Sequence, residues 1–233
     1  PDGLIYEGDW ADGQINGQGR LTQPNGDVYE GAFANGQREG QGTLTHKNGD
    51  SYTGTWAQDR RQGQGIFTAA DGFRYEATWV EGGMEGTGSI SYPDGSVYVG
   101  VMLADQPHGQ GAITYPDGST YQGNWEAGLI SGQGRATYAD GRIYEGNFVN
   151  ARPQGTGTMT LADGYRYEGD WADGQREGIG AAVYPDGSLY KGDFKAGLRS
   201  GAGEFSTTEG FRYVGNWVAG QIEGQGVATF PTG

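Results

Sequence analysis

Tyr6, Tyr29, Tyr52, Tyr75, Tyr98, Tyr121, Tyr144, Tyr167, Tyr190 and Tyr213 stand 23 residues apart without a slip, and other residues keep the same phase. If each tyrosine is position 0, position 2 is glycine in nine repeats, with Ala77 the exception. Position 4 is Trp10, Phe33, Trp56, Trp79, Met102, Trp125, Phe148, Trp171, Phe194 or Trp217. Positions 11, 13 and 20 are glycine throughout, and position 20 mostly follows Asp or Asn. A period of this length with ten copies in phase is the signature of a repeat array rather than of one closed globule.

The spacing within a repeat predicts two strands. Tyr-x-Gly-x-Trp has period two, which puts Tyr, Gly and Trp on one face of a strand. Positions 11, 13, 15 and 17 share a parity and read Gly, Gly, an apolar residue and often an aromatic, which is a second strand. Pairing the two as a hairpin sets position 0 opposite 15, 2 opposite 13 and 4 opposite 11, so that large rings lie over bare glycines. To keep the aromatic face continuous into the next repeat, position 17 must pair with 21 across a three-residue loop. That loop reads Pro93-Asp94-Gly95, Pro116-Asp117-Gly118 or Pro185-Asp186-Gly187, where Pro and Asp suit a type I turn and Gly the left-handed residue that closes it. No stretch reads as a helix. The expected fold is all-β: an elongated single-layer antiparallel meander of ten 23-residue hairpins, on the order of 95 Å long at the usual strand spacing. Residues 1–233 are expected to form one continuous array. The chain opens on Pro1-Asp2-Gly3 and closes on Pro231-Thr232-Gly233, the same point of the repeat, and so reads as a segment of a longer protein.

Composition agrees. With 48 glycines and few aliphatics, the rings must supply the buried area. The net charge of −14 repels phosphate backbones and anionic surfaces, which argues against nucleic acid as a partner. There is no cysteine, hence neither disulfide nor thiolate chemistry.

Repeats such as Tyr167-Glu168-Gly169-Asp170-Trp171 followed by Gly178-Ile179-Gly180 resemble the membrane occupation and recognition nexus (MORN) repeat, over the whole chain. The resemblance implies a ribbon of hairpins used for scaffolding, protein–protein binding or dimerisation, with phospholipid binding proposed for some members. Ala77, Met102, Asp59, Asp105 and Ala151 depart from the pattern, and local irregularity is expected in their repeats.

No catalytic, cofactor-binding or metal-ligating set is expected. The Asp-Gly and Asn-Gly pairs read as turn residues. His46 and His108 lie in different repeats and read as incidental surface residues. The Gly-x-Gly pairs lack the further glycine and the helix of a dinucleotide loop. Arg38, Arg60, Arg61, Arg152, Arg176 and Arg199 fall near hairpin tips, where a phosphate-binding edge is the alternative to a solvated one. The aromatic face is the functional candidate, because one sheet cannot cover both of its faces and an open apolar patch marks an interaction surface. The expected partner is a peptide, a helix or a second copy of the chain, with a phospholipid surface as the alternative. Selectivity should come from the repeats that break the pattern, around Phe73, Tyr75, Trp79, Tyr98 and Met102, continuing to Tyr121 and Trp125.

Overall fold

In the computed structural model, residues 3–231 are described; Pro1, Asp2, Thr232 and Gly233, which carry the matching ends of the repeat, fall outside. Among the described residues there is no helix. Contacts group the chain into two units, Pro1–Pro116 and Asp117–Gly233. The first contains β1 (Ile5–Ala11), β2 (Gln14–Thr22), β3 (Val28–Ala34), β4 (Gln37–Thr45), β5 (Ser51–Ala57), β6 (Arg60–Thr68), β7 (Arg74–Val80), β8 (Gly83–Ser91), β9 (Val97–Leu103) and β10 (Gln106–Thr114). The second contains β11 (Thr120–Glu126), β12 (Leu129–Thr137), β13 (Ile143–Val149), β14 (Arg152–Thr160), β15 (Arg166–Ala172), β16 (Gln175–Val183), β17 (Leu189–Lys195), β18 (Leu198–Ser206), β19 (Arg212–Val218) and β20 (Gln221–Thr229). Within each unit every strand pairs antiparallel with the next in chain order, so each unit is an open meander.

The register matches the sequence reading at two of three positions. Tyr6 faces Leu21 and Gly8 faces Gly19, the expected 0/15 and 2/13 pairs. Trp10, however, faces Ile15 at position 9, not Gly17 at position 11. A β-bulge in the second strand is responsible. Gly17 adopts φ 77° and Asp9 Oδ2 accepts the Gln18 amide at 2.9 Å across the distortion. Position 11 instead faces position 4 of the following repeat, as in Gly17–Phe33 and Gly40–Trp56.

Both kinds of turn follow their chemistry. The three-residue loop closes as expected: the Gln23 amide donates to Asp27 O at 2.8 Å, the Gly26 amide donates to Gln23 O at 2.9 Å, and Gly26 takes φ 94°. The acid or amide at position 19 accepts the amide two residues on, as with Asp94 and Ser96 at 2.8 Å, which is its turn role. The hairpin tip inside each repeat is a two-residue turn with both φ positive, as at Asp12 (50°) and Gly13 (77°). The irregularity expected at Asp59, Asp105 and Ala151 is absent: they hold φ 65°, 63° and 62° in the same turn. Asp59 and Asp105 also reach back to the preceding hairpin, where their Oδ1 atoms accept the amides of Arg38 (3.0 Å) and Met84 (2.7 Å).

The core is a ladder of rings in one plane of the sheet. Within each unit, a position-4 ring that follows another repeat stands edge-to-face between the tyrosine of its own repeat and that of the repeat before. Tyr29–Trp56 and Tyr52–Trp56 lie 5.4 and 5.2 Å apart at 86° and 88°. The tyrosines lie down along the strand, and the ring of Tyr52 covers Gly54 and Gly65 so closely that a Cβ on either would meet it. In nine repeats the phenol donates to the carbonyl of position 3, as Tyr52 does to Thr55 O at 3.1 Å. Indoles point the other way: Trp56, Trp79, Trp171 and Trp217 donate to the position-13 glycine carbonyl of the preceding repeat at 3.0–3.3 Å. From Tyr29 onward the position-0 tyrosines are only 0–5 % exposed. That corrects the expectation of a largely open aromatic stripe. The glycine floor lets the rings sink into the backbone, so a single layer buries them without a covering element.

Candidate functional site

Position 9 was not read from the sequence as part of the aromatic face, yet it shares the parity of positions 11 to 17 and faces position 4 across the hairpin. Where it is arginine, the guanidinium lies over the ring ladder. Arg38 sits 4.2 Å from the Trp56 ring centre, Arg61 is 5.0 Å from Trp79, Arg176 is 5.6 Å from Phe194 and Arg199 is 4.1 Å from Trp217. These arginines form a roof on the ladder rather than a row at a solvated edge. Burial lowers the Arg61 pKa from its ordinary value.

Beside the ladder runs a second set of rings that is only half-buried. They occupy position 17 in some repeats (Tyr92, Tyr138 and Tyr184 among them) and the residue two before the tyrosine in others (Phe73, Tyr165, Phe211), and Phe67 and Phe205 at position 15 join them. In the first unit Phe73 meets Phe67 and Tyr92, with ring centres 6.3 and 6.0 Å apart. In the second unit Tyr165 meets Tyr184 at 5.5 Å, Tyr184 meets Phe205 at 6.2 Å, and Phe205 meets Phe211 at 6.5 Å. Burial raises the pKa of Tyr92, Tyr138 and Tyr165.

This flank carries two clefts in the second unit. One, of about 480 Å³, is lined by Leu161, Tyr165, Arg176, Tyr184, Phe194 and Arg199 among others. The other, of about 310 Å³, lies between Arg142, Met159, Tyr165, Trp171 and Arg176. A larger space, about 940 Å³, is an open trough on the opposite face of the same unit, floored by the paired glycines of positions 2 and 13. No aromatic ring lines it, and two of its charged walls pair with each other, Arg135 Nε lying 3.0 Å from Glu145 Oε1. The ring-walled clefts therefore outrank it as a place for a ligand with an apolar part.

The residues singled out from the sequence divide between accessible and supporting positions. Phe73 is half-buried on the flank. Tyr75, Trp79, Tyr98 and Met102 are buried in the ladder of the first unit at 0–3 % exposure, and Tyr121 and Trp125 in that of the second at 2 % and 7 %. Met102 takes the place of a ring, facing Pro107 in the hairpin and Gly86 of the repeat before. His46 is not incidental: its Nδ1 lies 2.9 Å from Asp27 Oδ2, and Asp27 Oδ1 accepts the Lys47 amide at 3.0 Å. That amide, then the imidazole, hold the Asp27 carboxyl below its ordinary pKa. The pair ties one three-residue loop to the next. Among the described residues no group of three or more His, Cys, Asp or Glu side chains is placed to hold a metal ion.

A family model described as MORN repeat matches ten consecutive segments: residues 6–28, 29–51, 52–74, 75–97, 98–120, 121–141, 144–164, 167–189, 190–210 and 213–233. No curated protein sequence matches the chain. Among solved structures, the TCP10 domain of Danio rerio CPAP in complex with a peptide of Danio rerio STIL is similar at 17% identity and a TM-score of 0.53, covering 91% of this chain and 93% of that one. The TCP domain of Drosophila melanogaster SAS-4 in complex with a proline-rich motif of Ana2 matches at 15% identity and a TM-score of 0.43, over 72% and 90% of the two chains.

Proposed function

This chain belongs to the MORN repeat family, and we propose that it is a non-catalytic interaction module that holds a partner peptide along the half-buried flank of its aromatic face. The observation that carries this reading is the row of partly exposed rings beside a sealed ladder, with clefts opening between Tyr165 and Tyr184. Rings of this kind supply contact area with few rotors to freeze, the property of interface anchors. Their backing is rigid, since the ladder beneath is buried and hydrogen-bonded, so a partner meets a preformed surface.

In the first unit Phe73 and Tyr92 are the contact residues of this proposal. Tyr75, Trp79, Tyr98 and Met102 serve as the support that fixes them, and Tyr121 and Trp125 have the same supporting part in the second unit. The fold shared with the zebrafish TCP10 domain, solved with a peptide bound, lends support, since it is another sheet of this kind that accepts a peptide. A second copy of the chain is the other occupant of protein chemistry. An anionic phospholipid surface is disfavoured by the net charge of −14.

Selection of peptides from a displayed library on the full chain, followed by calorimetry, tests the reading. Selected peptides should lose about tenfold in affinity on Phe73→Ser or Tyr184→Ser with melting unchanged. Equal affinity for both variants and the parent would refute it, and so would flotation with phosphatidylserine vesicles when no peptide is bound.

A further inference from the structure

We propose that Arg176 and Arg199 form a receptor for a single carboxylate, the acidic side chain of a partner peptide, in the cleft walled by Tyr165, Tyr184 and Phe194. The proposal rests on the peptide-binding reading above and names the chemistry of the partner.

The argument begins with a difference between like positions. Arg38, at position 9, has a built-in counter-ion: Asp59 at position 7 of the next repeat lies 3.0 Å from its Nε. For Arg176 and Arg199 the corresponding residues are Gly197 and Gly220. Each guanidinium turns to the backbone instead, Arg176 donating to Gly197 O and Arg199 to Gly220 O. Arg176 also donates to the Tyr165 hydroxyl. Among the described residues neither makes an ion pair. Arg61 also makes no ion pair and lies against Tyr52, Phe67 and Trp79, but its neighbour Arg38 is already paired with Asp59, so no second unpaired guanidinium stands beside it. Arg176 and Arg199 are consecutive and line one cleft.

Two permanent charges against aromatic walls favour an anion strongly, because rings and carbonyls neutralise them only in part. Donors remain free on both groups, since a guanidinium has more N–H bonds than these contacts use. Nearby acids are engaged elsewhere. Asp163, on the rim, accepts the Tyr165 amide at 2.9 Å, and Glu177 accepts the Ala196 amide at 2.9 Å.

Charge complementarity selects a peptide over a membrane. A planar anionic surface would meet the field of the whole chain, at −14, whereas one carboxylate on a peptide meets only the cleft. Basic residues elsewhere on the same peptide would be welcome on the acidic remainder. The cleft also offers ring edges to an apolar side chain beside the acid.

The test uses the full chain and the peptide acetyl-Gly-Tyr-Glu-Tyr-Gly-amide against its Gln counterpart. Arginine Nε–Hε resonances are followed by NMR. Arg176 and Arg199 should shift saturably with the Glu peptide, Arg38 should not, and the Gln peptide or the R199Q variant should weaken binding about tenfold. The two-peptide comparison on the parent chain needs no variant to fold. No saturable shift, equal binding of both peptides, or equal shifts at Arg38 would overturn the proposal. So would binding to phosphatidylserine vesicles that R176Q and R199Q abolish, which would make the receptor one for lipid. If library-selected peptides bind at Phe73 and Tyr92 while the arginines stay silent, the interaction module stands and the carboxylate receptor falls.

Discussion

Ala77 occupies the space over Gly88 that the tyrosine hydroxyl fills in other repeats, and the hydroxyl of Tyr75 beside it is buried with no hydrogen-bond partner among the described residues. The methyl group at position 2 and the phenol at position 0 compete for one site above the glycine floor. In this repeat the methyl has it.

The relationship predicts opposite outcomes for one substitution in different repeats. Tyr52→Phe and Tyr144→Phe remove phenols that donate to Thr55 O and Asn147 O, both at 3.1 Å, and should each cost about 1 kcal/mol. Tyr75→Phe removes an unpartnered hydroxyl and should be neutral or stabilising. Chemical denaturation of the three variants checks this, and a loss at Tyr75 equal to the others would contradict the competition.

Where a tyrosine ring fills the space above it, glycine on the ladder floor should resist replacement for reasons of space alone. A Cβ at Gly157 would run into the Tyr144 ring, whereas one at Gly83, also within a strand, meets nothing nearer than Val80 O at 3.7 Å. Gly157→Ala should cost roughly 1–3 kcal/mol through forced displacement of the ring, and Gly83→Ala should be tolerated. Melting curves of the two variants distinguish this from a general aversion of strands to alanine.

Ala151 holds φ 62° at a turn position where most repeats have glycine. Unlike Asp59 and Asp105, it has no carboxylate with which to bond the preceding hairpin. Ala151→Gly should therefore stabilise the chain by about 1 kcal/mol, the relief of left-handed strain less the extra freedom of glycine when unfolded. A lower denaturation midpoint for this variant would count against the strain.

Stability should end within a defined alkaline window. Burial pushes Tyr29, Tyr52, Tyr75, Tyr98, Tyr121, Tyr144 and Tyr190 up to about 12. An unfolded tyrosine ionises near about 10. The raised groups contribute fully below the unfolded value and lose that contribution as pH rises through the folded one. Phenolate absorbance should thus appear cooperatively with loss of ellipticity between about pH 10 and 12, rather than as independent titrations. Smooth ionisation of folded protein would refute the linkage.

How far the sequence led can be argued from three positions. The 0/15 and 2/13 pairs and the 17/21 loop closure were legible because parity and turn chemistry constrain them separately. The 4/11 hairpin pair failed because the bulge between Gly8 and Trp10 puts two extra residues on the second strand, which leaves every side chain on its original face. Parity cannot detect an even insertion. The invariant glycine at position 11, at φ 77° in Gly17, was the available signal, since a left-handed residue inside a strand marks a bulge. The depth of burial was illegible for another reason: alternation reports which face a ring is on, not whether it stands up or lies down. The arginine roof could have been found by extending the second strand's parity back to position 9.

The edge-to-face ladder has a consequence for how such a chain can change. Each ladder ring within a unit meets only its own repeat and an adjacent one, so a whole repeat excised within the second unit, residues 144–166 for example, would rejoin Tyr121 to an aromatic position-4 ring, Trp171 in place of Phe148. Length is then an adjustable quantity in steps of 23 residues, while an excision of any other size would set a ring against a side chain instead of a glycine. The array can be lengthened or shortened like a ruler cut only at its marks.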